Sequence, residues 1–362
     1  MESKTPANLK EQLANFFEER FCLSEIQKIA AKKLVPMHKH SIWYYIGGVA
    51  AMFVGVQIVT GILLMVYYIP DINAAHASIL KINSQIDFGW FIRSIHSWGA
   101  NLMILVVLIH FFSTYFMKAY RNPREFTWLT GLVLLVICLA FGFTGYLLPW
   151  DDVSLFATKI GLDIASKTPL IGPIIANLLR GGDTVSQATI SRFFTIHVAV
   201  LPAALMALLG GHILFVQMHG MSEPAVFKEI PKEKKTFEKF FPNFFLKDVL
   251  VWILALNALF VLVMLFPWGI GPEADAFAPA PIGIKPEWYF LAPFQFLKLI
   301  PPMIGPIEGE VCGVLFLALV CFAFVIIPFI DTGKSKTISK VATAFGVIVL
   351  LALVSFSIWG AL

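Results

Sequence analysis

The stretch FGWFIRSIHSWGANLMILVVLIH at residues 88–110 is an apolar run that carries two histidines, His96 and His110. They are fourteen residues apart, which on a helix is roughly 21 Å along the axis and about 40° from a common line. The stretch SRFFTIHVAVLPAALMALLGGH at 191–212 repeats the pattern, with His197 and His212 fifteen residues apart. Ionisable groups inside such runs are costly in a bilayer and are therefore usually functional.

The composition predicts a membrane protein. Of 362 residues, 58% are hydrophobic and 14% are charged, and the mean hydropathy is +0.79. A water-soluble domain has no means of hiding so much apolar surface, so a bilayer is expected to be the solvent. Residues 1–40 are polar and lack the apolar core and cleavage site of a signal peptide.

Seven apolar runs are long enough to cross about 30 Å of hydrocarbon, so we predict an all-α fold with seven transmembrane helices. The runs lie at 43–69, 93–117, 126–148, 193–218, 249–268, 311–330 and 339–360. Shorter apolar segments broken by proline, at 168–180 and 291–306, are expected to be interfacial helices or loops. Charged and apolar positions alternate along residues 8–34, which predicts an amphipathic helix on the membrane surface.

The runs imply four parts of the chain: an N-terminal amphipathic segment (1–42), a four-helix domain (43–218), a polar linker (219–248) and a three-helix domain (249–362). Lysine and arginine are concentrated before the first run and between the second and third, fourth and fifth, and sixth and seventh runs. With seven spans, all four segments fall on one side. This asymmetry predicts a cytoplasmic N-terminus and a cytoplasmic linker.

The four histidines are best explained as ligands of two haems. A single intramembrane histidine is more often a helix–helix hydrogen bond or a proton-relay position. Two pairs at matching depths, His96 with His197 and His110 with His212, instead favour two bis-histidine irons, an outer and an inner one. Zinc would need four ligands at one point.

Glycines repeat the same fourteen-residue step on the neighbouring runs, at Gly47 and Gly61 in the first and at Gly131 and Gly145 in the third. A missing side chain would let a flat macrocycle approach the backbone, although close helix packing is an alternative use. Arg93 and Arg192 precede the outer histidines and could bind haem propionates. The alternative for both is snorkelling to the interface.

The chain resembles cytochrome b of the quinol–cytochrome c reductase (cytochrome bc) superfamily. The resemblance rests on the two histidine stretches, on REFTWLTGLVLLVICLAFGFTGYLLPWD at 124–151 and on PEWYF at 286–290, and it covers nearly all of the chain from about residue 25. The fifteen-residue histidine step and the seven runs resemble the photosynthetic-type branch. There, cytochrome b and subunit IV are separate proteins, whereas here their counterparts are fused.

The resemblance implies quinol oxidation on the outer face. Glu287 would accept a proton from quinol, and Tyr289 would line the pocket; otherwise Glu287 would be expected in a surface ion pair. Pro286, Trp288, Pro149 and Trp150 belong to the same pocket by the match. One electron would pass to a Rieske-type iron–sulfur protein and on to a c-type cytochrome. The other would cross through two non-covalent b haems to a quinone, coupled to proton translocation.

The resemblance also implies a multi-pass subunit of a respiratory complex in a bacterial inner membrane. The complex is expected to form a homodimer and to bind lipids, and no nucleic-acid partner is expected. Two departures matter. Tyr45 stands where the photosynthetic branch has a cysteine that tethers a further haem, and no CxxCH occurs, so no covalent haem is expected. Gln217 replaces a basic residue, which leaves the inner quinone site unassigned among His219, Lys228 and Asp248.

Two other functions stay open on the sequence alone. A haem-b anchor of a different respiratory dehydrogenase would also hold haem between helices, but it has no need of PEWYF. A proton-coupled transporter could use buried histidines without metal, but it is expected to have broken helices at mid-membrane. Between the paired histidines, the only proline is Pro202.

Overall fold

A computed structural model of the chain describes residues 8–22, 24–25, 33–224, 227, 229–275 and 277–362. Helices dominate these residues. In chain order they are α1 (Leu9–Phe21), α2 (Ser41–Met65), α3 (Ala75–Gln85), α4 (Gly89–Phe116), α5 (Glu125–Tyr146), α6 (Asp152–Ser166), α7 (Gly172–Arg180), α8 (Gln187–His219), α9 (Phe240–Leu265), α10 (Trp288–Lys298), α11 (Gly309–Ile330) and α12 (Lys336–Ala361). Seven of them, α2, α4, α5, α8, α9, α11 and α12, are long and apolar enough to cross a membrane, which confirms the predicted fold class.

Short elements occupy the segments between the spans. β1 (Leu34–Met37) pairs antiparallel with β2 (Thr236–Lys239), and β3 (Met303–Ile304) pairs with β4 (Ile307–Glu308). Segment 168–180 contains α7, and 291–306 contains most of α10 and β3, all too short to span. The amphipathic segment predicted for 8–34 is helical in α1, and its residues 23 and 26–32 lie outside the described ranges.

The spanning helices leave most of their surface for lipid. Of the most apolar part of each span, only 28% is buried by the rest of the chain in α4 and only 6% in α8. Large apolar side chains such as Val136, Leu254 and Ile348 point outward. In a bilayer, helices satisfy all their backbone hydrogen bonds internally while such side chains meet hydrocarbon at no cost.

One hydrophobic core joins the four-helix part to α9. It contains Phe53 of α2, Met103 of α4, Leu134 of α5, Leu205 of α8 and Leu259 of α9, each less than a tenth exposed. Apolar side chains from five helices thus meet along one seam, and this seam sets the distances between the helices that carry the histidines.

The bundle has two ends, named here by their loops. The loop end carries α3, α6, α7, α10 and the β3–β4 hairpin, whereas the linker end carries the β1–β2 pair and residues 117–124 and 331–335. At the linker end Asp331 is fully buried and accepts hydrogen bonds from Tyr120 (2.6 Å), Arg121 (2.7 Å) and Ser339 (2.8 Å). This cluster connects the α4–α5 loop to the start of α12.

Candidate functional site

The first histidine pair lies between α4 and α8. The rings of His96 and His197 have centroids 6.3 Å apart and planes inclined at 71°. Two metal–nitrogen bonds of about 2 Å each, together with the two ring radii, account for a span of about 6 Å. The separation therefore fits one iron between two imidazoles, a fit that does not depend on any sequence resemblance.

Each of the four predicted glycines lies against one histidine. A Cβ built on Gly61 would be 3.3 Å from Cε1 of His96, and a Cβ on Gly145 would be only 2.6 Å from Cε1 of His197. Gly47 and Gly131 stand in the same way at His110 and His212, with corresponding distances of 3.1 and 3.2 Å. The glycines of α2 thus serve the histidines of α4, and those of α5 serve the histidines of α8. Their predicted contact with the macrocycle itself stays a prediction.

A π turn at Ile196–Val200 explains the fifteen-residue step on α8. Such a turn takes one more residue than a turn of α-helix, so it absorbs the residue by which α8 exceeds the fourteen-residue step of α4. Pro202 follows it and lacks the N–H that would bond the carbonyl of Val198. The turn was not predicted, although the unequal step and the proline were its signals.

Two histidines for each iron are consistent with the rest of the donor atoms. Within the described ranges, no group of three or more His, Cys, Asp and Glu side chains converges as a metal site. Bis-histidine ligation of a macrocyclic iron needs only two protein donors, because the macrocycle supplies the others. The spacing of the His96 and His197 rings, the glycine contacts and this donor set together fit haem b.

A cavity of about 400 Å³ extends from the first histidine pair to the loop end. Its lining is mostly apolar and includes Gly61, His96, Gly142, Gly145, Pro149, Asp151, His197, Glu287 and Tyr289. His96 and His197, predicted for iron ligation, thus share one cavity with Pro149, Glu287 and Tyr289, predicted for quinol oxidation. Pro286, Trp150 and Trp288 are not among the lining residues; Trp150 packs in the core of the loop end.

Glu287 directly precedes α10, and Tyr289 lies in its first turn. Burial raises the pKa of Glu287, and the pKa of Tyr289 is raised by burial and by the neighbouring Glu287. A Cβ on Gly142 would lie 2.6 Å from the Tyr289 hydroxyl, so α5 admits this ring only because it has glycine there. The Trp288 indole donates to Asn101 Oδ1 on α4 at 2.7 Å and so fixes α10 beside the histidine helix.

The two arginines differ in position. Arg93 lines the cavity, and its guanidinium donates to the carbonyls of Trp268 (2.8 Å) and Gly269 (2.9 Å). Arg192 instead donates to the carbonyls of Asn177 (3.2 Å) and Leu178 and is not among the residues that line the cavity. Propionate binding thus has geometric support at Arg93 and none at Arg192, where it stays a prediction.

Sequence reasoning missed Asp151. Its side chain caps α6 by accepting from the Ser154 backbone N–H at 2.9 Å, in a capping box with Ser154, and it also lines the cavity. The sequence Asp-Asp-Val-Ser after Trp150 has the spacing of a capped helix, which was the available signal.

At the linker end, Tyr45 stacks on Phe244 with ring centroids 4.7 Å apart and planes at 15°. A Cβ on Gly48 would lie 2.6 Å from the carboxylate of Asp248, which brings α2 and α9 together beside Gly47 and His110. Lys33 donates to Gln217. These contacts surround the second histidine pair. They do not identify a quinone site.

The chain matches two protein-family models and several known proteins. Residues 31–220 match the family described as Cytochrome b/b6/petB, and residues 273–362 match Cytochrome b(C-terminal)/b6/petD. The chain is 43% identical over 343 residues to a cytochrome bc complex cytochrome b subunit of Chlorobaculum thiosulfatiphilum, covering 94% of this chain and 79% of that one. It is 40% identical over 210 residues to a cytochrome b6 of Synechococcus elongatus, covering 58% of this chain and 97% of that one.

Among solved structures, a chain of a hyperthermophilic respiratory Complex III matches with a TM-score of 0.82 and 27% identity, over 96% of this chain and 91% of that chain. The bundle is that of a membrane-embedded electron-transfer protein, and two of its helices carry histidine pairs that fit haem ligation. The chain belongs to the cytochrome b family. The prediction of a cytochrome b of the quinol–cytochrome c oxidoreductase type is confirmed by these matches.

Proposed function

We propose that the chain oxidises quinol in the cavity at the loop end and passes one of the two electrons through two b haems to a quinone at the linker end. The observation that carries this proposal is the cavity of about 400 Å³, which contains both His96 with His197 and Glu287 with Tyr289. Quinol bound there would meet a proton acceptor and an electron acceptor in one apolar enclosure.

The chain's part in the first step is to take protons. Oxidation of quinol to quinone releases two electrons and two protons, and the second electron is hard to remove while the protons remain. A buried carboxylate with a raised pKa is a better base than an exposed one, and Glu287 lies in this position. Tyr289 packs against Gly142 and, together with Pro149, lines the cavity. These two side chains would orient the ring of quinol.

His96 and His197 would hold the outer haem, and His110 and His212 the inner one, with Arg93 at the propionates of the outer haem. When bound, haem iron cycles between its ferrous and ferric states and so relays single electrons. The histidines of a pair fix the orientation and depth of each haem. Moving a charge across the membrane against 100 mV costs about 2.3 kcal/mol, which couples the transfer to a membrane potential.

The remaining electron would leave through a Rieske-type iron–sulfur protein at the loop end and continue to a c-type cytochrome. We place the loop end outside a bacterial inner membrane and the N-terminus and linker in the cytoplasm, because lysines are concentrated in the linker-end segments. The complex would be a homodimer. Tyr45 leaves no thiol for tethering a further haem, and the chain has no CxxCH, so no covalently attached haem is expected.

The substitution Glu287→Gln tests the proton-accepting role. We expect it to slow quinol oxidation about 10²-fold or more, with both haems retained, because an amide of the same shape cannot take the proton. In the unsubstituted protein, activity should fall as pH drops through the raised pKa of Glu287, since only the carboxylate accepts a proton.

The matched control is Glu310→Gln, which changes an exposed carboxylate in the first turn of α11 and should leave the rate unchanged. The measurement is quinol-dependent reduction of cytochrome c by the complex between about pH 5 and pH 9. An unaltered rate and pH profile in Glu287→Gln would exclude Glu287 as the proton acceptor.

A further inference from the structure

Three of the four histidines contact a threonine hydroxyl. Nδ1 of His96 lies 2.9 Å from Oγ1 of Thr60. Nδ1 of His212 lies 3.0 Å from Oγ1 of Thr130, and Nδ1 of His197 lies 3.1 Å from Oγ1 of Thr144. Each threonine directly precedes the glycine that faces the same histidine, so Thr-Gly is a two-residue unit repeated at Gly61, Gly131 and Gly145.

The direction of these hydrogen bonds follows from counting protons. A hydroxyl has one proton, and in each threonine it already goes to the backbone carbonyl one helical turn earlier. The acceptors are the carbonyls of Val56 (2.7 Å), Phe126 (2.9 Å) and Ala140 (2.8 Å). A hydroxyl that gives its proton to the carbonyl accepts from the imidazole through its oxygen, and in this arrangement Nδ1 carries the proton. The lone pair is left on Nε2, where iron would bind.

The fourth histidine differs. Nδ1 of His110 is buried and has no hydrogen-bond partner among the described residues. The residue before its glycine is Ile46, which has no hydroxyl to offer. The outer pair therefore has two hydroxyl-bonded ligands, and the inner pair has one.

We propose that Thr60, Thr130 and Thr144 are positioning residues that set the tautomer of their histidines, and that this two-against-one asymmetry makes the outer haem the weaker electron acceptor. The proposal rests on the proposed function, because it needs a haem at each pair. It goes beyond it by naming the side chains that separate the two haem potentials.

The physical reason is the electron density on the ligand. An imidazole that donates from Nδ1 gains anionic character and becomes a stronger base toward iron, which favours the ferric state and lowers the reduction potential. With two such ligands on the outer haem and one on the inner haem, the electron moves from the lower to the higher potential. The direction is from the loop end to the linker end.

Three substitutions test the proposal. Thr60→Val and Thr144→Val keep the shape of the side chain and remove the hydroxyl, whereas Ile46→Thr supplies one to His110. The matched control is Thr343→Val, which changes a threonine of α12 that bonds only its own helix, at Ser339 O (2.9 Å). The readout is the midpoint potential of each haem in the purified complex, from redox titration of the b-type absorption bands.

We expect Thr60→Val and Thr144→Val each to raise the potential of the outer haem alone, by about tenfold in the reduction equilibrium, which is 59 mV for one electron. Ile46→Thr should lower the potential of the inner haem alone, and Thr343→Val should move neither. Because Ile46→Thr adds a hydrogen bond, it still tests the proposal if Thr60→Val or Thr144→Val folds poorly.

The proposal is overturned if both haems are present and these substitutions move neither potential, or move the two haems equally. If the unsubstituted protein lacks two b haems, the proposed function has failed instead, and the potentials do not enter. The two failures are therefore separate results.

Discussion

At Gly145 the backbone of α5 passes so close to His197 that an added methyl carbon would lie 2.6 Å from the ring. A Cβ at that distance must displace the imidazole, because the rigid helix cannot yield by an equal amount. By contrast, a Cβ on Gly210 of α8 would have no described atom within 4 Å. The close approach of His197 therefore requires glycine at position 145, whereas no described contact requires it at position 210.

The substitution Gly145→Ala should therefore displace His197 and weaken binding of the outer haem, while the inner haem is retained. We expect about one b haem per chain in the purified variant, because ligand misplacement typically costs 10–100-fold in affinity. Gly210→Ala is the control and should retain the unsubstituted haem content. Full haem content in Gly145→Ala, measured by absorption, would contradict the assigned contact.

Part of the site could be predicted from the sequence residue by residue. The four histidines and the glycine steps were identified from spacing alone, because a helix converts a fixed residue interval into a fixed depth. The Thr-Gly units were not recognised, although Thr60, Thr130 and Thr144 are visible beside the glycines. Their meaning depends on which nitrogen each hydroxyl reaches, and that contact is made between helices far apart in the chain.

Among the elements, the helices were predictable and their irregularities were not. The predicted runs overlap all seven spans, because long apolar stretches have few alternatives to a helix in lipid. The π turn in α8 was missed, since a single extra residue changes the phase of the helix without changing its hydropathy. Arg121 belongs to the basic segment between the second and third runs, which was used only to predict the orientation, and the structure adds that Arg121 pairs with a buried aspartate.

That aspartate, Asp331, fastens two elements at the linker end. Burial acts to raise the pKa of Asp331, but hydrogen bonds from Tyr120, Ser339 and Arg121 outweigh it and hold the pKa below its ordinary value. A lowered folded-state pKa means that the carboxylate stabilises the fold above the pKa of the unfolded chain. The stabilisation is lost as pH falls through the lower, folded-state pKa.

We expect Asp331→Asn to destabilise the protein by about 3 kcal/mol, because Arg121 and Lys118 lose their shared partner in a place screened from water. Asp163→Asn breaks the exposed pair with Arg180 and should cost less than about 1 kcal/mol. The thermal unfolding midpoint in detergent at neutral pH compares the two. Equal midpoints would show that the cluster does not fasten α12.

Taken as a whole, the molecule is a bundle with two chemically different ends. The loop end carries the cavity with Glu287, and the linker end carries the Asp331 cluster and the β1–β2 pair. The predicted orientation puts the linker end in the cytoplasm, because lysine and arginine are concentrated in its segments. The side of the membrane on which each segment lies could be predicted from the sequence. The cavity could not, because residues of α4, α5, α8 and α10 line it together only in the folded chain.

Single cysteines test this orientation. In a variant without the four native cysteines, Ile282→Cys places a thiol in a fully exposed segment of the loop end. It should react with a membrane-impermeant maleimide from outside intact cells. A variant retaining only Cys22, exposed after α1, should react only after the membrane is opened. The reverse pattern of labelling would invert the assigned topology and place quinol oxidation on the cytoplasmic side.

The central claim is that the paired histidines of α4 and α8 hold two b haems in one chain. The measurement that tests it most directly is the haem content of the purified subunit, by the pyridine haemochrome spectrum, before and after extraction with acidified acetone. We predict two haems per chain, all extractable and of b type, and a low-spin bis-histidine signature in the spectrum of the native protein before extraction. One haem per chain, or a haem that resists extraction, would contradict the account.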